Sequence, residues 1–170
     1  MSEHPEGHVN GRDRLLSSKT LAEVLETATA FERSARDFYL DLAPRVSKRI
    51  RWLVEELAEE EQRHFDLFTA LMSRDDLASE IKARIATPSS DRKFSDCIQL
   101  PELGDSPDDQ AVLQYALGRE HAAMQQYREL SESTEPGAIR DLFAYLADEE
   151  TEHKAELEKL YYEIIHSGGV

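Results

Sequence analysis

A single cysteine, Cys97, stands in 170 residues. No disulfide can close within the chain, and no Cys-x-x-Cys knuckle is available to hold a metal. The expected compartment is a reducing one, the cytoplasm. The opening residues, MSEHPEGHVNGRDR, lack the apolar stretch of a signal peptide. No run approaches the roughly 18 consecutive apolar residues that cross a bilayer, so no membrane partner is expected. Glycine is scarce, at 7, while charged residues make up 32%; that balance argues against a turn-rich β fold and for helices. Positive charge is also in deficit. Twenty Lys and Arg face 35 Asp and Glu, a formal charge of −15. Such a surface repels phosphate backbones, which excludes nucleic acid as an expected partner.

What is present is helical periodicity. Residues 1–17 read as a flexible tail carrying His4 and His8, and 18–170 as one domain. A first helix is expected from Ser18 or Thr20, either of which can cap it, to a stop at Pro44. A second runs from about Val46 to Arg74. The segment 75–105 holds a short expected helix, DDLASEIKARIA, and then irregular chain with Pro88, Pro101 and Gly104. Ser106 is the expected cap of a third helix, with Pro107 at its first position. A fourth runs from about Pro136 to His166 and stops at Gly168-Gly169. Short turns join the first helix to the second and the third to the fourth, and a long connection separates the two pairs. The predicted fold is therefore all-α: a four-helix bundle of two helical hairpins joined by one long crossover, the ferritin-like arrangement.

The two halves repeat. FERSARDFYLDLA aligns with REHAAMQQYRELS, placing Glu32 on Glu120, Ala35 on Ala123 and Tyr39 on Tyr127. LAEEEQRHFDLF aligns with LADEETEHKAEL, placing Glu61 on Glu150 and His64 on His153. The apolar seam of each helix shows where these polar residues lie. In the fourth helix, Ile139, Phe143, Leu146, Leu157, Leu160 and Ile164 leave gaps at 150 and 153. The seam of the third, through Leu113, Ala116, Ala123, Tyr127 and Leu130, is interrupted at Glu120. That of the first is interrupted at Glu32, and Ile50, Leu53, Leu57, Phe68 and Leu71 bracket Glu61 and His64 in the second.

Four carboxylates facing one another inside a bundle cost several kcal/mol each if left ionised and unpaired. They stay protonated or they hold cations. Two divalent ions cancel four carboxylates in formal count. Glu and His at i and i+3 share a helix face and can converge on one ion. Taken singly, a Glu-x-x-His in an acidic helix is usually a solvated face, and Glu59, Glu60, Glu149 and Glu152 read that way. The six seam residues in register across the repeat read as ligands of a di-metal site. Tyr39 and Tyr127 are core aromatics first, and then candidates for hydrogen-bonding a ligand carboxylate across the bundle. Phe31 and Trp52 read as packing, and Cys97 as incidental.

AFERSARDFY with LAEEEQRH, then GREHAAMQQY with LADEETEH, resembles the rubrerythrin-type branch of the ferritin-like superfamily over residues 18–166. The resemblance implies that Glu32, Glu61, His64, Glu120, Glu150 and His153 hold two iron ions. Glu61 and Glu150 would bridge, with Glu32 and Glu120 terminal. Manganese is the rival metal, and zinc could occupy purified material. The implied activity is that of a di-iron oxidoreductase using O₂ or hydrogen peroxide, with a homodimer expected. The alternatives are a non-catalytic iron-binding or iron-delivery protein, or a di-iron oxidase of an organic substrate. Two departures stand out. The chain lacks the rubredoxin domain, so an external electron-donor protein is implied. Ala123 replaces the extra glutamate that rubrerythrins carry three residues after the third-helix ligand, which implies a symmetric four-Glu, two-His site.

Overall fold

A computed structural model describes residues 18–86 and 103–167. Four long helices form two antiparallel hairpins: α1 (Leu21–Leu42) with α2 (Lys48–Met72), and α3 (Asp109–Ser133) with α4 (Ala138–Ser167). The long connection runs between α2 and α3, as the predicted topology requires. None of the described helices is long and apolar enough to cross a membrane. The expected tail, with His4 and His8, together with Pro88, Cys97, Pro101 and Gly168-Gly169, lies outside the described residues.

Local chemistry sets the helix ends. Thr20 caps α1 through its hydroxyl, which accepts from the Glu23 N–H at 3.2 Å, while the Glu23 carboxylate accepts from the Thr20 N–H at 3.4 Å. Pro44 lies in a 3₁₀ turn, Ala43–Arg45, that ends α1. The cap of α3 is Asp108 and not the expected Ser106: its carboxylate accepts from the Ala111 N–H at 2.7 Å. Aspartate serves this position as well as serine does, and the helix starts two residues later than the sequence pattern suggested.

The segment 75–86 is not the expected helix. It forms two 3₁₀ turns, Asp75–Leu77 and Glu80–Lys82, and then a short strand, β2 (Arg84–Ala86), antiparallel to β1 (Ser18–Thr20). Burial of Ile85 and the bond from the Leu21 N–H to the Ala83 carbonyl at 2.8 Å fasten the start of the crossover to the start of α1. These tertiary contacts override local helix propensity.

The bundle has two apolar cores rather than one. Leu25, Phe31, Phe68, Tyr127, Leu130 and Phe143 belong to the first, at one end. Tyr39, Leu42, Ile50, Val54, Leu113 and Leu157 belong to the second, at the other. Every helix contributes to both. The layer between them, at the middle of all four helices, is polar. Trp52 takes no part in either core: it is 54% exposed, with its indole N–H donating to the Arg49 carbonyl.

Candidate metal centre

The polar layer holds all six seam residues. Glu32, Glu61, His64, Glu120 and Glu150 are buried, and His153 is nearly so at 11% side-chain exposure. Their donor atoms form two groups. Glu32, Glu61, His64 and Glu150 each offer one atom within 4.8 Å of the others, and Glu120, Glu150 and His153 do the same. Glu150 belongs to both. Its Oε1 is 3.1 Å from His64 Nδ1, and its Oε2 is 3.7 Å from His153 Nδ1. One carboxylate thus reaches towards each half. Glu61 falls in the first group only. The imidazole rings are nearly parallel, with centroids 6.3 Å apart.

The outward faces of both histidines are held by carboxylates from the opposite hairpin. His64 Nε2–H donates to Glu149 at 2.7 Å, and His153 Nε2–H donates to Glu60 at 2.9 Å. Each contact orients its ring so that Nδ1 faces the carboxylates. Glu60 and Glu149 are therefore not the solvated residues that the sequence pattern suggested. Each directly precedes its Glu-x-x-His, one step round the helix, which carries it to the neighbouring helix. A signal was present in the repeat: the doubled glutamates 60-61 and 149-150 coincide at the same offset. Glu59 and Glu152 are exposed, as expected. Glu149 also accepts from the Tyr145 hydroxyl at 2.6 Å. Beside it a surface cavity of about 390 Å³ is lined by Arg63, His64, Asp66, Leu67, Tyr145 and Glu149.

The two tyrosines differ. The Tyr127 hydroxyl donates to Glu32, from the opposite hairpin. The Tyr39 hydroxyl, fully buried, has no hydrogen-bond partner among the described residues. A third feature has no counterpart in the repeat. Arg119 is buried, donates to the Tyr115 hydroxyl at 2.7 Å, and lies with its guanidinium carbon 4.7 Å from the centre of the Phe31 ring. Phe31 is the residue that aligns with Arg119. Nothing in the apolar pattern pointed to a buried cation there, because its repeat mate is apolar.

The electrostatics are those of carboxylates forced together. Burial pushes Glu61 well up, and the neighbouring Glu32 charge pushes it further. Burial would likewise raise Glu150, but His153 and His64 beside it bring it below its ordinary value. Burial opposes protonation of both histidines, yet the surrounding carboxylates win: His64 is raised well above its usual range and His153 is pushed up to about 10. The hydrogen bond from His64 holds Glu149 down to about 2. Burial works against the Arg119 charge, but Tyr39, Tyr115 and Glu61 keep it in place. Without metal, protons therefore occupy the space between the acids.

These residues fit a pair of metal ions. Both oxygens of Glu120 and of Glu150, one each of Glu32 and Glu61, and Nδ1 of both histidines are buried without a well-aligned hydrogen bond among the described residues. Polar atoms orphaned in this way are costly, and they face one another across the layer. Carboxylate oxygens with imidazole nitrogen suit iron or manganese better than magnesium or calcium.

Comparison with known proteins gives the same fold. The rubrerythrin family profile matches residues 23–93 and 111–167. A solved structure from Thermotoga maritima, provisionally assigned as a ferritin-like diiron-carboxylate protein, is 21% identical with a TM-score of 0.63. It is covered over 96% of its length by 85% of this chain. A hypothetical protein from Pyrococcus furiosus is 25% identical with a TM-score of 0.63, over 89% of this chain and 93% of that one. No curated protein matches the chain.

Proposed function

This chain belongs to the rubrerythrin family, and from that premise we propose that it is an oxidoreductase that works with two iron ions and passes their electrons to O₂ or hydrogen peroxide. The observation that carries the reading is the pair of buried donor groups sharing Glu150. When bound, an iron pair supplies a two-electron reductant and a Lewis acid for the oxidant.

The chain's own residues supply the rest. Glu32, Glu61, Glu120 and Glu150 provide four negative charges, and His64 and His153 provide Nδ1. Glu149 and Glu60 hold the imidazoles so that Nδ1 is turned inward and deprotonated once a cation replaces the proton. Tyr127 fixes one oxygen of Glu32. The apolar cores above and below keep bulk water from the layer. These 170 residues hold one cysteine and no rubredoxin-like knuckle, so in the proposed reaction the electrons come from outside them.

Ala123 bears on the oxidant. Without a carboxylate at that position the site has less means of moving an ion between ligands. We therefore favour O₂ over peroxide. Stopped-flow mixing of the anaerobic diferrous protein with each oxidant at matched concentration should show oxidation by O₂ at least as fast as by peroxide. Peroxide reacting orders of magnitude faster would return the assignment to a peroxidase. Metal analysis after reconstitution should approach two ions per chain, and a plateau at one would refute the paired site. The cavity beside His64 lies on the outer side of the ring, away from Nδ1, among Arg63, Asp66, Leu67, Tyr145 and Glu149.

A further inference from the structure

The repeat predicts two equal metal positions, and the structure departs from equality in four ways, the first three of which point in one direction. The first group gathers four donors, Glu32, Glu61, His64 and Glu150, and the second gathers three, Glu120, Glu150 and His153. His64 is 1% exposed where His153 is 11% exposed. Glu32 is held by the Tyr127 hydroxyl, whereas its mate Glu120 has neither oxygen in a hydrogen bond and Tyr39 does not reach it. The fourth difference is Arg119, a buried guanidinium in α3 where α1 has the apolar Phe31. Tyr39 lies within the field of that cation, which opposes the effect of burial on its hydroxyl.

Affinity follows from donors already in place. A ligand that must be ordered or turned on binding subtracts its ordering cost from the binding free energy. Four donors gathered in a closed pocket, one of them fixed by a tyrosine, lose less than three donors of which one carboxylate is unrestrained and one imidazole is partly open to water. Every added ligand also adds charge attraction for a divalent ion.

We propose that the two metal positions are unequal, the Glu32–Glu61–His64–Glu150 position binding first and tightly, and the Glu120–Glu150–His153 position binding second and exchanging its ion with solvent. The proposal rests on the paired-metal reading and adds an order and a division of roles. The second position is where an ion enters, leaves or keeps a ligand site open for a small molecule. The first is a fixed partner.

The test uses the metal-free full-length protein titrated anaerobically with Co²⁺, whose visible absorption reports each position without turnover. Wild-type protein should fill in two resolved steps of one ion each. Two steps alone do not decide the matter, since a first ion repels a second even between equal positions. The decisive comparison is between Glu120→Gln, which leaves the first position intact, and Glu32→Gln, which leaves the second. The single ion that remains should bind at least about ten-fold more tightly in Glu120→Gln, a difference of about 1.4 kcal/mol. Tyr127→Phe should weaken the first step several-fold and leave the second nearly unchanged, with far-ultraviolet circular dichroism confirming that the bundle is folded. Equal affinities in the two glutamine variants, or tighter binding in Glu32→Gln, overturn the proposal while leaving two ions per chain. Absence of Co²⁺ binding to the wild type overturns the paired-metal reading itself.

Discussion

Glu149 lies outside both donor groups, yet its contact with His64 at 2.7 Å decides which imidazole nitrogen faces the carboxylates. Carboxylates in this role typically contribute about 10- to 100-fold in metal affinity. Glu149→Ala should therefore weaken Co²⁺ or Fe²⁺ binding by about that factor with all six candidate ligands retained, as read by competition with a chelator. Glu59→Ala, an exposed residue in the matching acidic run of α2, should leave affinity unchanged; an equal loss there would make the effect one of general charge. Arg119 makes a second prediction. A buried cation near Glu61 disfavours the more oxidised, more positive metal pair, so Arg119→Leu should lower the midpoint potential of the iron-loaded protein, on the order of tens of millivolts. At this scale the sequence was legible where polar residues interrupted an apolar seam. It was silent where a polar residue sat beside the seam, as Glu60 and Glu149 do, and where the repeat itself was broken, as at Arg119.

At the scale of elements, periodicity located all four helices because each must present apolar residues to two cores through many turns. Helix starts were less legible, because adjacent Ser106, Asp108 and Asp109 all have capping chemistry. The structure makes the choice testable. Asp108→Ala should cost about 1 kcal/mol of stability and Ser106→Ala close to nothing, measured as denaturant midpoints of the metal-loaded protein. A larger loss from Ser106→Ala would restore the earlier start. The strand at 84–86 was not legible, because its partner lies at 18–20 and the pairing exists only once the chain has returned to the start of α1. Local composition contains no trace of a contact made over that separation.

At the scale of the molecule, metal-free protein should have its stability maximum on the acid side of neutrality. The contribution of His153, whose pKa is pushed up to about 10, is fully present below its ordinary value of 6.5 and is lost as pH rises through 10. That of Glu149, held down to about 2, is present above 4.5 and is lost as pH falls towards 2. Glu61, raised by burial, acts in the opposite sense to an ordinary paired acid: its protonation relieves the cluster, so acidification favours the native state. The three directions leave a window of about pH 4.5 to 6.5. Thermal melts across a pH series should peak there without metal and lose that acid-side peak with two ions bound, because the ions displace the protons. A melting temperature that climbs from pH 6 to 8 in metal-free protein would contradict this account. The division of the interior into two cores has a further consequence. In an ordinary bundle, backbone amides exchange slowest at the middle of each helix and fastest at the ends. Here the middle of each helix crosses the layer least able to hold itself together without cations. Hydrogen–deuterium exchange of the stripped protein should therefore show a trough of protection around residues 32, 61, 120 and 150, with slower amides on either side. Two ions should fill that trough while the helix ends exchange as before.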